Sequence, residues 1–182
     1  MPPSKNPPND GRTTSRLRFE KARESDRQGF CRWYTDPVAM RYVTGEPLDD
    51  QQANLRFDAA REAGKAGPDL GFYSVRRIED DAFVGVAKLT SFPSLADGRT
   101  LEVGYGLLPF AFGRGYATEI VGYLTEFVTG RTLATELVGI THRDHLASIR
   151  VLQKCGFEAL HGDSRCPDGS LLSSLQLPSL SL

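Results

Sequence analysis

From Ala117 onward the apolar residues recur at Ile120, Val121, Leu124, Phe127 and Val128, the i, i+3, i+4, i+7 spacing of one buried helical stripe. Gly130 stops this helix, and the stretch FAFGRGY, Phe110–Tyr116, leads into it with two glycines around Arg114. The first N–H groups of a helix have no intrahelical partner and present partial positive charge. Glycines there have two uses: they supply φ > 0 in a tight turn, or they keep side chains away from an anion at the helix end.

The same periodicities divide the rest of the chain. In RLRFEKA, Leu17 and Phe19 alternate with polar residues, which predicts a first strand, followed by a helix capped by Ser25 with Phe30, Trp33 and Tyr34 on its buried side. Asp36 before Pro37 places a capping carboxylate ahead of the helical position that tolerates proline, so a short helix is expected from Val38 to Val43. LDDQQANLRFDAAREAG predicts a third helix, capped by Asp49 or Asp50, with Leu55, Ala59 and Ala63 on one face and Gly64 as terminator. LGFYSVRRI and AFVGVAKLT, joined by EDD, have hairpin character, and TLEVGYGLL forms the strand that runs into the glycine loop. TELVGIT is a further strand, Leu146 to about Cys155 a helix closed by Gly156, and EALHGD and SLLSSLQL, around PDG, two last strands. This order is α/β with a mixed sheet, in which only the crossover through the long helix must join parallel strands.

Composition narrows the picture in three places. With 182 residues, 40% hydrophobic and 25% charged, the chain is one domain over 16–182, preceded by a Pro-rich polar tail over 1–15 that cannot bury enough apolar surface to order itself. A formal net charge of −1 gives no electrostatic case for nucleic acid or a membrane surface, and neither a signal peptide nor a membrane span is legible. Cys31, Cys155 and Cys166 are odd in number and lack C-x-x-C spacing, which suits reduced thiols in a cytoplasm. His142, His145 and His161 form no ligand-spaced cluster with them, so no metal is expected.

With the strand, loop and helix in place, the chain resembles the GNAT superfamily of acetyl-CoA-dependent N-acetyltransferases, and more narrowly its ribosomal-protein N-acetyltransferase (RimJ/RimL-type) branch. TSRLRF with TDPVAMRYV resembles the opening strand and Asp-Pro helix of that branch, and FVGVAKL the strand after its first hairpin. LEVGYGLLPFAFGRGYATE resembles the acetyl-CoA motif, and HRDHLASIRVLQKCGF the second motif, Asn-x-x-Ser followed by Lys-x-Gly-Phe. The resemblance implies a mixed, mostly antiparallel sheet of about seven strands, splayed at the centre and flanked by helices. The pantetheine arm of acetyl-CoA would enter the splay and pair with backbone groups of Leu107 and Leu108. The pyrophosphate would lie along Phe112, Gly113, Arg114, Gly115, Tyr116, Ala117 and Thr118, with His145 and Ser148 beside the arm. Two positions depart from the family: Phe110 replaces a Gln or Arg of the loop, and His145 replaces the Asn of the second motif.

The implied chemistry is transfer of an acetyl group to the amine of a peptide N-terminus or a small molecule, by a monomer or homodimer. A lysine-type amine of pKa ~10.4 is neutral in about one molecule in 2,500 at pH 7, and an α-amine of pKa ~7.7 in about one in six, so a base is valuable. The branch places a glutamate at Glu102, which is the expected general base, acting directly or through water. Ser148 is the expected proton donor to the leaving sulfur, with Tyr105 and Tyr116 as alternatives, and Cys155 reads as core. Acceptor specificity is expected in the Thr35 to Asp50 segment and the Ser91 to Arg99 loop, where Glu46, Asp49 and Asp50 would draw in a cationic amine. The rival reading, motivated by Phe110 and His145, is a GNAT-like module that holds or senses CoA without turnover.

Overall fold

Seven strands form one sheet in the order β1-β2-β3-β4-β5-β7-β6, in a computed structural model that describes residues 12–92, 100–131, 134–160 and 170–178. The strands are β1 Leu17–Lys21, β2 Gly71–Arg77, β3 Phe83–Ser91, β4 Thr100–Leu107, β5 Glu136–Thr141, β6 Glu158–Leu160 and β7 Leu171–Gln176. The helices are α1 Arg27–Tyr34, α2 Pro37–Met40, α3 Asp50–Ala63, α4 Tyr116–Thr129 and α5 Leu146–Lys154. Among the described residues only β4 and β5 pair in parallel, joined by the α4 crossover as expected from the sequence. Residues 1–11 of the expected tail, most of the Ser91 to Arg99 loop, His161, Cys166 and the PDG turn lie outside the described residues.

Alternation along the strands supplies two cores, one on each face. Tyr73, Ala87 and Leu89 pack with Ile120, Val121, Leu124 and Val128 of α4. Their sheet neighbours Phe72 and Val86 turn the other way, toward Phe30, Trp33, Met40 and Phe57 from α1 to α3. The α4 stripe read from the sequence is therefore the buried one, apart from Phe127, which is partly exposed.

Four local expectations change. Ser25 does not cap α1; it lies in a 3-10 turn, and the carboxylate of Asp26 accepts the Arg23 N–H at 3.0 Å. Asp36 caps α2 through the Val38 and Ala39 N–H groups, but α2 ends at Met40 and continues as turns to Gly45, whose φ of 85° breaks the run. On α3 the buried row is Ala53, Phe57 and Ala60, whereas Leu55 is 62% exposed. Phe57 decides this: its ring meets Phe30 edge-on at 5.2 Å and is covered by Arg27 and Arg61, so the row holding the largest apolar side chain faces in. Finally, order begins before residue 16. Arg12 is buried and donates to Tyr73 Oη, the Pro68 carbonyl and Asp69, and Thr14 donates to Glu119 at 2.5 Å. Polar side chains hold this segment, which an apolar pattern does not register.

Candidate active site

β4 and β5 pair only through Thr100 with Glu136, Leu101 with Leu137 and Glu102 with Val138. Beyond Glu102, β4 stays with β3 as far as Leu107 and β5 stays with β7 as far as Thr141, so the sheet opens between them. The Leu108 N–H donates to the Val84 carbonyl at 2.9 Å. In an antiparallel ladder the bonding direction alternates, so the amide groups of Val103, Tyr105 and Leu107 turn away from β3 into the opening. Leu108 has its amide committed to Val84 and its side chain packed among Phe30 and Met40 on the other face.

The glycine loop closes one end of the opening. Gly113 has φ 71° with open space where a Cβ would stand, and Gly115, the residue before α4, has φ 78°. No side chain caps α4, and its first intrahelical bond runs from the Glu119 N–H to the Gly115 carbonyl, which leaves the Tyr116, Ala117 and Thr118 amides without helical acceptors. A cavity of about 550 Å³ runs from these residues along Leu107 and Phe112 to His145 and Ser148. Arg41 and Lys154, neither of them singled out in the sequence, also line it. Free helix-end amides, a side-chain-free glycine and two cations suit a phosphorylated, extended ligand such as CoA. Arg114 donates from its Nε to the Phe110 carbonyl at 3.1 Å. Arg16, distant in sequence, reaches the loop as well, donating to the Arg114 carbonyl at 2.9 Å and to Glu119 at 2.7 Å.

A second cavity, of about 400 Å³, holds Glu102 and Lys88, and the two cavities share Tyr42, Val43, Tyr105 and Ser148. Glu102 stands on a central strand rather than an edge, its side chain 13% exposed, and accepts from Lys88 Nζ at 2.5 Å. Tyr105 donates to Ser148 Oγ at 3.1 Å. Burial pushes the Tyr105 phenol up, an effect that the bond to Ser148 opposes, so it stays protonated at neutral pH. Tyr116 is buried beneath the Arg16 guanidinium, 4.8 Å from its ring. His145 immediately precedes α5 but makes no capping bond through its side chain; its ring stacks on Tyr42 at 4.4 Å. Burial first, and His142 second, push its pKa down. Cys155 is partly buried against the core and points its Sγ at the Thr118 carbonyl. From the Thr35 to Asp50 segment, Tyr42, Val43 and Thr44 reach the second cavity, whereas Asp49 caps α3 by accepting the Gln52 N–H at 2.7 Å. Lys88 and Tyr42 carried no sequence signal, because the register of β3 on β4 and the fold of the α2 turn bring them here.

A strand-splayed sheet with a glycine loop heading the crossover helix is the architecture of an acetyltransferase. Residues 16–158 match the model of the acetyltransferase (GNAT) domain, and the chain belongs to that family. No curated protein sequence matches it significantly. Among solved structures, an acetyltransferase from Agrobacterium tumefaciens str. C58 aligns over 97% of this chain and 98% of its own at 18% identity and a TM-score of 0.78. RimL, a ribosomal L7/L12 alpha-N-protein acetyltransferase solved with coenzyme A, covers 90% and 96% at 12% identity and TM-score 0.72. Spermidine N-acetyltransferase from Vibrio cholerae, solved with CoA and spermine, covers 90% and 96% at 12% identity and TM-score 0.69. At these identities the likeness establishes the fold, a seven-stranded mixed sheet flanked by helices. Among the described residues no helix is long and apolar enough to cross a membrane.

Proposed function

We propose that this protein transfers the acetyl group of acetyl-CoA to a primary amine, of a peptide N-terminus or a small molecule, by direct attack in a ternary complex. The observation that carries the reading is the junction of two cavities at Tyr105 and Ser148, one reaching the glycine loop and the other holding Glu102. The motif resemblance and the RimL match support a RimJ/RimL-type relationship, and the acceptors of the neighbours, a ribosomal protein and spermine, share the amine.

Bound acetyl-CoA supplies the thioester that acts as acyl donor. Gly113, Gly115 and the Tyr116 to Thr118 amides would hold its diphosphate, with Arg41 and Lys154 balancing charge, and the Leu107 amide would polarise the acyl oxygen. Glu102 accepts the proton that the amine gives up as its nitrogen bonds to the acyl carbon, and Lys88 holds that carboxylate in place through its ion pair. Ser148, held by the Tyr105 phenol, returns a proton to the sulfur as the carbon–sulfur bond breaks.

Calorimetric titration with acetyl-CoA and CoA, with NADH and ATP as controls, tests the first half, and thiol release on addition of amines tests the second. Selective binding with thiol release is the expected result, and Glu102→Gln lowers turnover by ~10² to 10⁴ with cofactor affinity nearly intact. Selective binding without release from any amine would favour the CoA-holding module instead, and no binding would overturn both.

A further inference from the structure

We infer that the acceptor is a small amine carrying its own carboxylate, a free amino acid with an apolar side chain; this deepens the acetyl-transfer reading and rests on it. The charge around the second cavity points away from polycations. Its described lining holds two permanent cations, Arg56 and Lys88, against one carboxylate, Glu102, and that carboxylate is already bound to Lys88. Arg56 lines the same cavity as Tyr34 and has no ion-pair partner among the described residues. Of the acids expected to attract a cationic acceptor, Asp49 caps α3, and neither Glu46 nor Asp50 lines this cavity. A polyamine would bring positive charge to a cavity whose described lining offers it no spare carboxylate.

Arg56 is therefore the group left to meet an anionic substituent, and a guanidinium binds a carboxylate through paired N–H donors. Tyr34, Tyr42, Phe72 and Val86 give the remaining wall an apolar character, suited to an apolar side chain. A volume of about 400 Å³ has room for one amino acid.

The test uses the full-length protein and measures thiol release from acetyl-CoA with phenylalanine and leucine, each against its amide, and with spermine and a short peptide. The expected result is a kcat/KM at least about tenfold higher for each amino acid than for its amide, with spermine slower still, the size of one charge-assisted contact. Arg56 is exposed on α3, so Arg56→Ala should fold, and it is expected to bring the acid-to-amide ratio toward one. Amides matching the acids, a preference for spermine or the peptide, or an unchanged ratio in the Arg56 variant would overturn the inference and leave acetyl transfer standing. Absence of acetyl-CoA binding and of thiol release with every amine would overturn both.

Discussion

The phenol of Tyr105 donates a 3.1 Å hydrogen bond to Oγ of Ser148, and so links β4 to α5 across the opening of the sheet. Both side chains border both cavities, which places this bond where donor and acceptor substrates would meet. If Tyr105 acts by orienting the serine, its effect should vanish once the serine is gone. Tyr105→Phe is expected to lower kcat about 10-fold and Ser148→Ala about 10- to 100-fold, with the double variant no slower than Ser148→Ala alone. Steady-state kinetics, with acetyl-CoA affinity measured in parallel, checks this. Multiplying effects would mean that Tyr105 contributes independently.

Arg16 ties the glycine loop to the body of the protein. It bridges the Arg114 carbonyl and Glu119, lies over Tyr116, and sits 3.5 Å from where a Cβ on Gly115 would be. Its partner Glu119 also accepts from Thr14 Oγ and the Arg16 amide. Half of the arginine is in solvent, so the ion pair itself should contribute little stability, about 1 kcal/mol or less. The larger effect is on loop order: Arg16→Ala is expected to raise the acetyl-CoA Kd by about 3- to 10-fold at nearly constant kcat, and Arg16→Lys should not restore it, because an ammonium lacks the fork that reaches both partners. Calorimetry on the two variants decides it; an unchanged Kd would show the loop to be held by Gly115 and Tyr116 alone.

Much of this architecture is written in local patterns. The 3.6-residue stripe of α4, the Asp36-Pro37 cap, the alternation of β1 and the hairpin of β2 and β3 are near-neighbour signals, and each is present in the structure. The glycine loop was legible for the same reason, since Gly113 and Gly115 announce backbone that other residues rarely adopt. What could not be read was carried by long-range partners. Lys88 meets Glu102 through strand register, Arg16 meets Glu119 across 103 positions, and Tyr42 meets His145 through the packing of two turns. Arg114, which the motif resemblance put beside the diphosphate, bonds from its Nε to the Phe110 carbonyl four residues back, a contact that no sequence pattern announces.

The orientation of α3 offers a stability test. Leu55 and Phe57 are two residues apart, about 200° around the helix, so only one can face the core. Phe57 is fully buried and Leu55 is 62% exposed. Phe57→Ala is expected to cost about 3–5 kcal/mol and Leu55→Lys less than about 0.5 kcal/mol in urea unfolding. Comparable losses from both would mean that a partner surface covers Leu55.

His145 should make stability depend on pH. Burial, and then repulsion by His142, hold its folded-state pKa below the ordinary 6.5. The unfolded chain therefore binds this proton more readily, and stability rises with pH wherever the unfolded state holds more protons. The contribution is fully present above about 6.5 and is lost as pH falls through the lower folded-state value. Two measurements follow. The imidazole signal of His145 should titrate with a midpoint below 6.5, and the fall in Tm between about pH 7 and pH 5 should be shallower in His145→Asn than in the parent. The same variant restores the amide of the family motif while removing the Tyr42 stack, so it separates the two uses of this position. Acetyl-CoA affinity held within about threefold at neutral pH would show that hydrogen bonding at the head of α5 matters there more than the ring. A loss well beyond that would assign the contact to the imidazole stacked on Tyr42.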